Sequence, residues 1–237
     1  MDDRQRQSSA PAEALEDDPY VPFNGEALHD LLGPVNQIRS IADLILKKHR
    51  GTMDPETEVL FAYMQNSADR LQNLLAGLRK YTSVLNDRGQ KTTCDGNAIL
   101  AGALIELQPV IEETGARVTY DHLPNLHCNP AQLCFVFSSL IENSIKFRSE
   151  SRPEIHFTAF PERDSWVISV QDNGIGIDPR NRERIFSVFK RIHNDEYPGA
   201  GVGLAIVRHI LEHHGGRVWV DSSLGHGATF FVVLPSR

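Results

Sequence analysis

The sequence predicts a long α-helical hairpin followed by an α+β sandwich, on two observations. Between Pro55 and Asn86, the residues Leu60, Met64, Ser67, Leu71, Leu74, Leu78, Tyr81 and Leu85 are spaced by alternating steps of four and three. That spacing keeps one stripe facing one partner along a long helix. After Gly89 the rhythm stops, and short alternating apolar–polar stretches are interleaved with helical ones. The 237 residues thus divide into an acidic tail at 1–22, a helical hairpin at 23–88 and a second domain at 89–237.

The tail sets six acidic residues (Asp2, Asp3, Glu13, Glu16, Asp17, Asp18) against Arg4 and Arg6, and reads as a flexible segment. The first helix is expected from Asn24, a capping residue, to about His49, with Leu28, Leu31, Val35, Ile38, Ala42 and Ile45 on one stripe. Pro34 lies inside it and should kink it, and Gly33 beside it should soften it. A break at Arg50–Thr52 and Asp54-Pro55 leads into the second helix. Two helices alone leave apolar residues uncovered, so the hairpin is expected to dimerise into a four-helix bundle.

In the second domain, Asn97 to Thr114 looks helical, Val118 to Tyr120 is a short strand, and Pro130 to Phe147 is a helix capped by Asn129. Glu154–Phe160 and Trp166–Gln171 alternate as strands, and Gly203–His214 is a helix ending at Gly215-Gly216. Arg217–Asp221 and Ala228–Leu234 close the domain as strands, with neighbours expected to run antiparallel.

Composition narrows the function. Hydrophobic residues make up 41% and charged residues 23%, which suits an ordered protein. A net charge of -7 and a pI near 5.8 argue against a general nucleic-acid binder. The longest apolar run is five residues, far short of the roughly 20 that span a bilayer. The polar N-terminus does not read as a signal peptide. Cys94, Cys128 and Cys134 show no paired metal spacing and read as thiols in a reducing cytoplasm.

Three polar clusters carry chemistry. In Leu140-Ile-Glu-Asn-Ser-Ile-Lys-Phe147, Asn143 and Lys146 share a helix face. An amide oxygen can complete a magnesium shell, and a lysine can meet phosphate. In Asp172-Asn-Gly-Ile-Gly-Ile-Asp178, Asp172 can accept from an exocyclic amine, while Gly174 and Gly176 permit positive φ or close approach to a flat ring. A plain Asn-Gly turn is the competing reading of that stretch. In Gly199-Ala-Gly-Val-Gly-Leu204, glycines open a helix whose free N–H groups can cradle phosphate. It is neither a P-loop nor a Rossmann fingerprint.

Asn143, then Asp172-x-Gly-x-Gly, then Phe186 and Phe189, then Gly199-x-Gly-x-Gly203, in that order, resemble the ATP-binding domain of bacterial histidine kinases. That family lies within the gyrase, Hsp90, histidine kinase and MutL group. The runs Phe189–His193, Tyr197–Val207, His214–Val220 and Gly225–Phe230 look closest to its phytochrome-like branch.

The resemblance implies ATP and magnesium. Asn143 would bind magnesium and Lys146 would touch phosphate. Asp172 would hold the adenine amine, with Gly174 and Gly176 beside the ring. Gly199, Gly201 and Gly203, with Leu204, would form the phosphate cradle and hinge of a mobile lid over roughly 179–201. Phe186 and Phe189 would be packing residues. Leu28-His-Asp-Leu-Leu-Gly-Pro34 then resembles a phosphoacceptor box, with His29 as nucleophile and Asp30 orienting the ring or taking its proton. The implied reaction is autophosphorylation on His29 and transfer to an aspartate of a response-regulator receiver domain. Adjacent helix positions point about 100° apart, so the role of Asp30 needs a bent rotamer.

The chain departs from the pattern in places. Leu32 stands where the phytochrome-like branch commonly has Arg, and Gly33 where a Thr or Asn assists dephosphorylation of the regulator, so weak phosphatase activity is expected. Ser139 stands where hydrolytic relatives carry a water-activating Glu, which favours transfer over hydrolysis. The tail is too short for a sensor domain, so the expectation is a kinase fed by a separate sensor protein, or a piece of a longer chain. Two other readings are a non-catalytic phosphotransfer adaptor docking a response regulator, and an ATP-driven clamp. The intact glycine boxes count against the first, and Ser139 and the His29 box against the second. His209 and His213 read as solvated helix surface rather than metal ligands, and the group His122, His127 and Cys128 is likewise not read as a metal site. Phe135 and Phe137 read as core.

Overall fold

A computed structural model describes residues 25–49, 51–86, 89–190 and 200–236, without the side chains of residues 25–29, 85 and 86. The acidic tail, the Asn24 cap, the stripe positions Leu28 and Leu85, and Gly199 therefore lie outside what is described.

Helices α1 (Gly25–Lys48) and α2 (Pro55–Asn86) form the hairpin. The start of α2 is set locally: Asp54 accepts from the Thr57 N–H at 2.8 Å and from the Thr57 hydroxyl at 2.6 Å, with Pro55 at the first helical position. Those bonds hold the Asp54 carboxyl below its ordinary pKa. Helix α1 runs without interruption through Gly33 and Pro34. A proline forfeits one backbone bond, and at this exposed position water can satisfy the freed carbonyl.

The seam takes only part of the predicted stripes. Val35 and Ala42 of the α1 stripe are buried there, but on α2 the buried residues are Ala68 and Leu75, which the stripe did not include, with Leu32 and the stripe residue Leu78 packed on the seam. Leu31, Ile38, Ile41 and Leu44 on α1, and Leu60, Met64 and Leu71 on α2, are exposed.

The second domain contains β1 (Thr92–Asp95), α3 (Gly96–Glu106), α4 (Gln108–Thr114), β2 (Arg117–Tyr120), β3 (Asn125–Cys128), α5 (Pro130–Lys146), β4 (Glu154–Glu162), β5 (Ser165–Asp172), α6 (Gly203–His213), β6 (Arg217–Ser222) and β7 (Ala228–Pro235). Five strands form a sheet in the order β2-β4-β5-β7-β6. All its pairs are antiparallel except β2 with β4, which departs from the all-antiparallel expectation. β1 and β3 make a separate antiparallel ribbon.

Leu100, Leu133, Phe137, Leu140, Ile141 and Ile206 from the helices meet Ile155, Phe157, Ile168 and Val232 from alternate strand positions. This is a two-layer α/β sandwich with one core. Phe137 meets the Phe157 ring edge-on at 5.5 Å, as expected of a core residue, whereas Phe135 is only partly buried.

One helical expectation fails. The stretch 97–114 breaks at Leu107 into α3 and α4, because Pro109 cannot sit in a helix interior and instead opens α4. The Asn129 cap of α5 forms as expected, its side chain accepting from the Ala131 and Gln132 N–H groups.

The two parts touch through the last turns of α2. Tyr81 is buried in the core of the second domain, 6.2 Å from the His209 ring, and Val84 packs beside it. Gly77 lies so close to the start of α6 that an added Cβ would sit 2.5 Å from Ala200 Cβ and 2.9 Å from Val202 Cγ2. Lys80 holds its ammonium 4.5 Å from the Phe135 ring.

Candidate functional site

At the end of β5, the Asp172 carboxylate is held on three sides. Oδ1 accepts from the Gly174 N–H at 2.9 Å and the Ala228 N–H at 3.0 Å, and Oδ2 accepts from the Ser144 hydroxyl at 3.2 Å. Burial pushes its pKa up, and the same three donors oppose the rise. Oδ2 keeps lone-pair capacity for one more donor.

The loop after Asp172 packs where side chains cannot go. A Cβ on Gly174 would lie 2.5 Å from the Phe147 carbonyl oxygen. Gly176 has φ 73°, and a Cβ there would collide with the Ser223 carbonyl. Gly227 likewise has φ 71° and abuts the Asp172 carbonyl. The Ile175 N–H donates to the Phe147 carbonyl at 3.0 Å, and Gly225 N–H to the Ile175 carbonyl at 2.8 Å. These glycines are therefore demanded by the protein's own backbone, before any ligand is considered.

Asn143 precedes Ser144 on the next-to-last turn of α5. It is half-buried, and its side-chain amide has no hydrogen-bond partner among the described residues. An amide oxygen left free in this way suits a hard cation. Lys146 holds its ammonium 4.9 Å from the Phe147 ring. Ser139 is buried and Glu142 exposed.

The third cluster starts α6. Gly201 has φ 69°, and the capping position Val202 makes no side-chain bond to the first turn. The opening N–H groups of this helix lack intrahelical partners, as at any helix start. A Cβ on Gly203 would meet nothing within 4 Å, and Leu204 packs against the core.

Part of the expected lid is fastened down. Phe186 is buried against Phe230 at 6.4 Å. Arg182 donates to the Ser222 carbonyl and pairs with Asp221 at 3.0 Å. Phe189 is 42% exposed rather than packed, has φ 61°, and donates its N–H to the Gly201 carbonyl at 3.0 Å. Residues 191–199 lie between these two anchors and outside the described residues.

The fold thus brings the first two clusters into direct contact through Ser144 and Asp172, and packs α6, which carries the third, against α5. His29 lies in α1, its side chain not described, and Asp30 is exposed. Ser144, Gly227, Arg182 and the Ala228 amide were not singled out from sequence. Ser144 stands beside Asn143, but its partner is 28 residues away and leaves no local signal.

Among the described residues, no three His, Cys, Asp or Glu side chains gather as a metal site. His214, passed over in sequence, is buried: its Nε2 accepts from the Asn129 N–H at 3.0 Å and its Nδ1 donates to the Ile210 carbonyl at 2.7 Å. Burial pushes the Cys128 thiol up to about 12. No described helix is long and apolar enough to cross a membrane.

Comparison with known proteins gives this arrangement its context. Residues 128–237 match the family of histidine kinase-, DNA gyrase B-, and HSP90-like ATPases. The chain is 40% identical over 210 residues to cyanobacterial phytochrome A of Nostoc sp., a match covering 88% of this chain and 28% of that protein. It is 29% identical over 210 residues to the methanogenesis regulatory histidine kinase FilI of Methanothrix harundinacea, covering 88% of this chain and 24% of FilI. It therefore spans only about a quarter of the length of these curated relatives. Among solved structures, full-length ShkA in complex with AMPPNP is similar, with a TM-score of 0.63 and 25% identity over 89% of this chain and 44% of ShkA. Residues 128–237 thus belong to the histidine kinase-, DNA gyrase B- and HSP90-like ATPase family, and over 88% of its length the chain is similar to a phytochrome and to a histidine kinase.

Proposed function

We propose that the chain is an ATP-dependent protein-histidine kinase that phosphorylates its own His29 and passes the phosphoryl group to an aspartate of a response-regulator receiver domain. The observation that carries the reading is the Asp172 carboxylate, steadied by Gly174, Ala228 and Ser144 one residue from the free amide of Asn143. The similarity to ShkA, solved with AMPPNP, supports an adenine nucleotide as the ligand.

In this reading Asp172 Oδ2 accepts the adenine amino group, with Gly174 and Gly176 keeping the loop flat against the domain. Asn143 Oδ1 and the α6 N-terminus at Gly201, Gly203 and Leu204, with Gly199, hold the phosphate end, and Lys146 is a phosphate contact. Magnesium, when bound at Asn143, would neutralise charge on the β- and γ-phosphates.

A neutral imidazole nitrogen of His29 forms the P–N bond with its lone pair while the bond to the β–γ bridging oxygen breaks. ADP leaves with that electron pair, and the imidazole N–H proton passes to Asp30 or water. The receiver carboxylate later takes the phosphoryl group and restores the histidine. The exposed Leu31, Ile38, Ile41, Leu44, Leu60 and Leu71 support dimerisation with a second copy, each buried side chain contributing about 1.5–3 kcal/mol.

The test is label from γ-labelled Mg-ATP. It should be acid-labile, alkali-stable and absent from His29→Gln. An acid-stable label, or ATP hydrolysis without a phosphoprotein, would refute the assignment. Asp172→Asn should weaken nucleotide binding about 10- to 100-fold, the scale of a lost charged hydrogen bond.

A further inference from the structure

The hairpin carries a polar ladder beside its apolar seam. Gln65 of α2 bonds Asp43 of α1, and Gln72 bonds Asn36. From one rung to the next, α1 steps back seven residues and α2 steps forward seven. Seven residues make nearly two turns, so successive rungs fall on almost the same face. Arg39 is tied into the ladder, 3.1 Å from Gln72 and 3.6 Å from Asp69. One further step of seven on each helix reaches His29 and Arg79. Continued at that spacing, the ladder would set His29 on α1 level with Arg79 on α2.

Arg79 differs from the cations around it. Arg39 is paired within the ladder, and Lys80 sits over Phe135. The Arg79 guanidinium has neither an ion pair nor a side-chain hydrogen bond among the described residues; only its carbonyl is engaged, by Thr82. It is exposed, and with Leu32, Ala76, Lys80, Ser83 and Val84 it lines an open cleft of about 350 Å³. Leu32 lies three residues beyond His29, so the cleft opens on the adjoining turn of α1.

We propose that Arg79 is the phosphoryl-binding residue of the hairpin, bonding the oxygens of the phosphoryl group once it sits on His29. This rests on the reading of His29 as acceptor. A phosphoryl group brings up to about two negative charges and three acceptor oxygens. A guanidinium fork can meet two of those oxygens at once, which an ammonium cannot. A neutral imidazole offers no such partner, so the contact is made as the group arrives and favours the phosphorylated form. Arg79 neither gives nor takes a proton in the step.

The experiment compares the full chain with Arg79→Ala and Arg79→Lys, with His29→Gln as blank. The readouts are the plateau of alkali-stable label from γ-labelled Mg-ATP, its loss on adding ADP, the affinity for a fluorescent adenine nucleotide, and thermal unfolding. Arg79→Ala should lower the plateau and speed the ADP-driven loss, each by about tenfold, with nucleotide affinity and melting unchanged. Arg79→Lys should fall between. An unchanged plateau and unchanged ADP-driven loss in Arg79→Ala would overturn the proposal. So would a parallel loss of nucleotide affinity, which would put Arg79 at the ATP site. If the wild-type chain itself takes up no label that His29→Gln abolishes, the kinase reading fails and the role of Arg79 fails with it.

Discussion

In the C-terminal domain, Leu100, Phe137, Leu140, Ile141, Phe157 and Ile206 are all 0% exposed, whereas Leu31, Ile38, Ile41, Leu44, Leu60 and Leu71 on the hairpin remain 44–65% exposed. The same residue types thus meet two fates. The domain closes its own core, and its glycines let three loops touch backbone to backbone around Asp172. The hairpin seam rests on Val35, Ala42, Ala68 and Leu75, and leaves these six exposed large apolar side chains outside it. One half buries its large apolar side chains, with Tyr81 of α2 among them, and the other leaves a row of them uncovered, the feature on which the proposed dimer rests.

The strongest way to break this contrast is to damage the self-sufficient half. Gly176→Ala places a Cβ against the Ser223 carbonyl at positive φ. It should cost on the order of 3 kcal/mol and abolish nucleotide binding, read by thermal unfolding and titration. A melting point within error of wild type would mean the loop yields easily.

Next comes the hairpin. Ile38→Glu with Leu71→Glu should turn a dimer into a monomer at micromolar concentration, at a cost of a few kcal/mol. Sedimentation would report it, and unfolding of the C-terminal domain should not move. A dimer that survives both charges would place its interface elsewhere.

A third effect depends on pH. Burial pushes the His214 imidazole below its ordinary pKa, outweighing the bond to the Ile210 carbonyl that favours the charged form. Lys91, His213 and His127 push the same way as burial. Protonation would also set a donor against the Asn129 N–H. The unfolded chain takes up this proton first, near 6.5, so stability should fall as pH drops through that value, until the folded imidazole titrates too. His214→Gln should flatten this acid limb in a melting series; an equally steep limb would assign it to other groups.

The smallest change in stability separates ligand from scaffold. Gly203→Ala meets open space and should alter stability by no more than about 1 kcal/mol, in the stabilising direction. Nucleotide affinity should nonetheless fall if phosphate lies against this turn. Unchanged affinity would remove Gly203 from the cradle.

Signals local in sequence were legible. Asp54-Pro55 and Asn129-Pro130 announce the starts of α2 and α5, and Gly215-Gly216 the end of α6. The turns at Asp172 and Gly201 were readable for the same reason, since aspartate and glycine act on their own neighbours. Non-local features were not legible. β1 and β3 are only four residues each and pair with partners some thirty positions away in the chain. Ser144, Gly227 and the Ala228 amide converge on Asp172 only after folding. Pro109 marks the break between α3 and α4, although the stretch from Asn97 to Thr114 reads as one helix. The heptad stripe on α2 gave the helix but not which of its residues face α1.

Tyr81 is a residue of the hairpin by covalent connection and a residue of the α/β sandwich by solvation. For a phosphate donor in the sandwich to travel toward α1, that ring must first be drawn out of oil into water. In the proposed reaction, torque applied to the hairpin from either end would be felt as a change in the work of that extraction, so a single aromatic plug would set how often the two halves are free to meet.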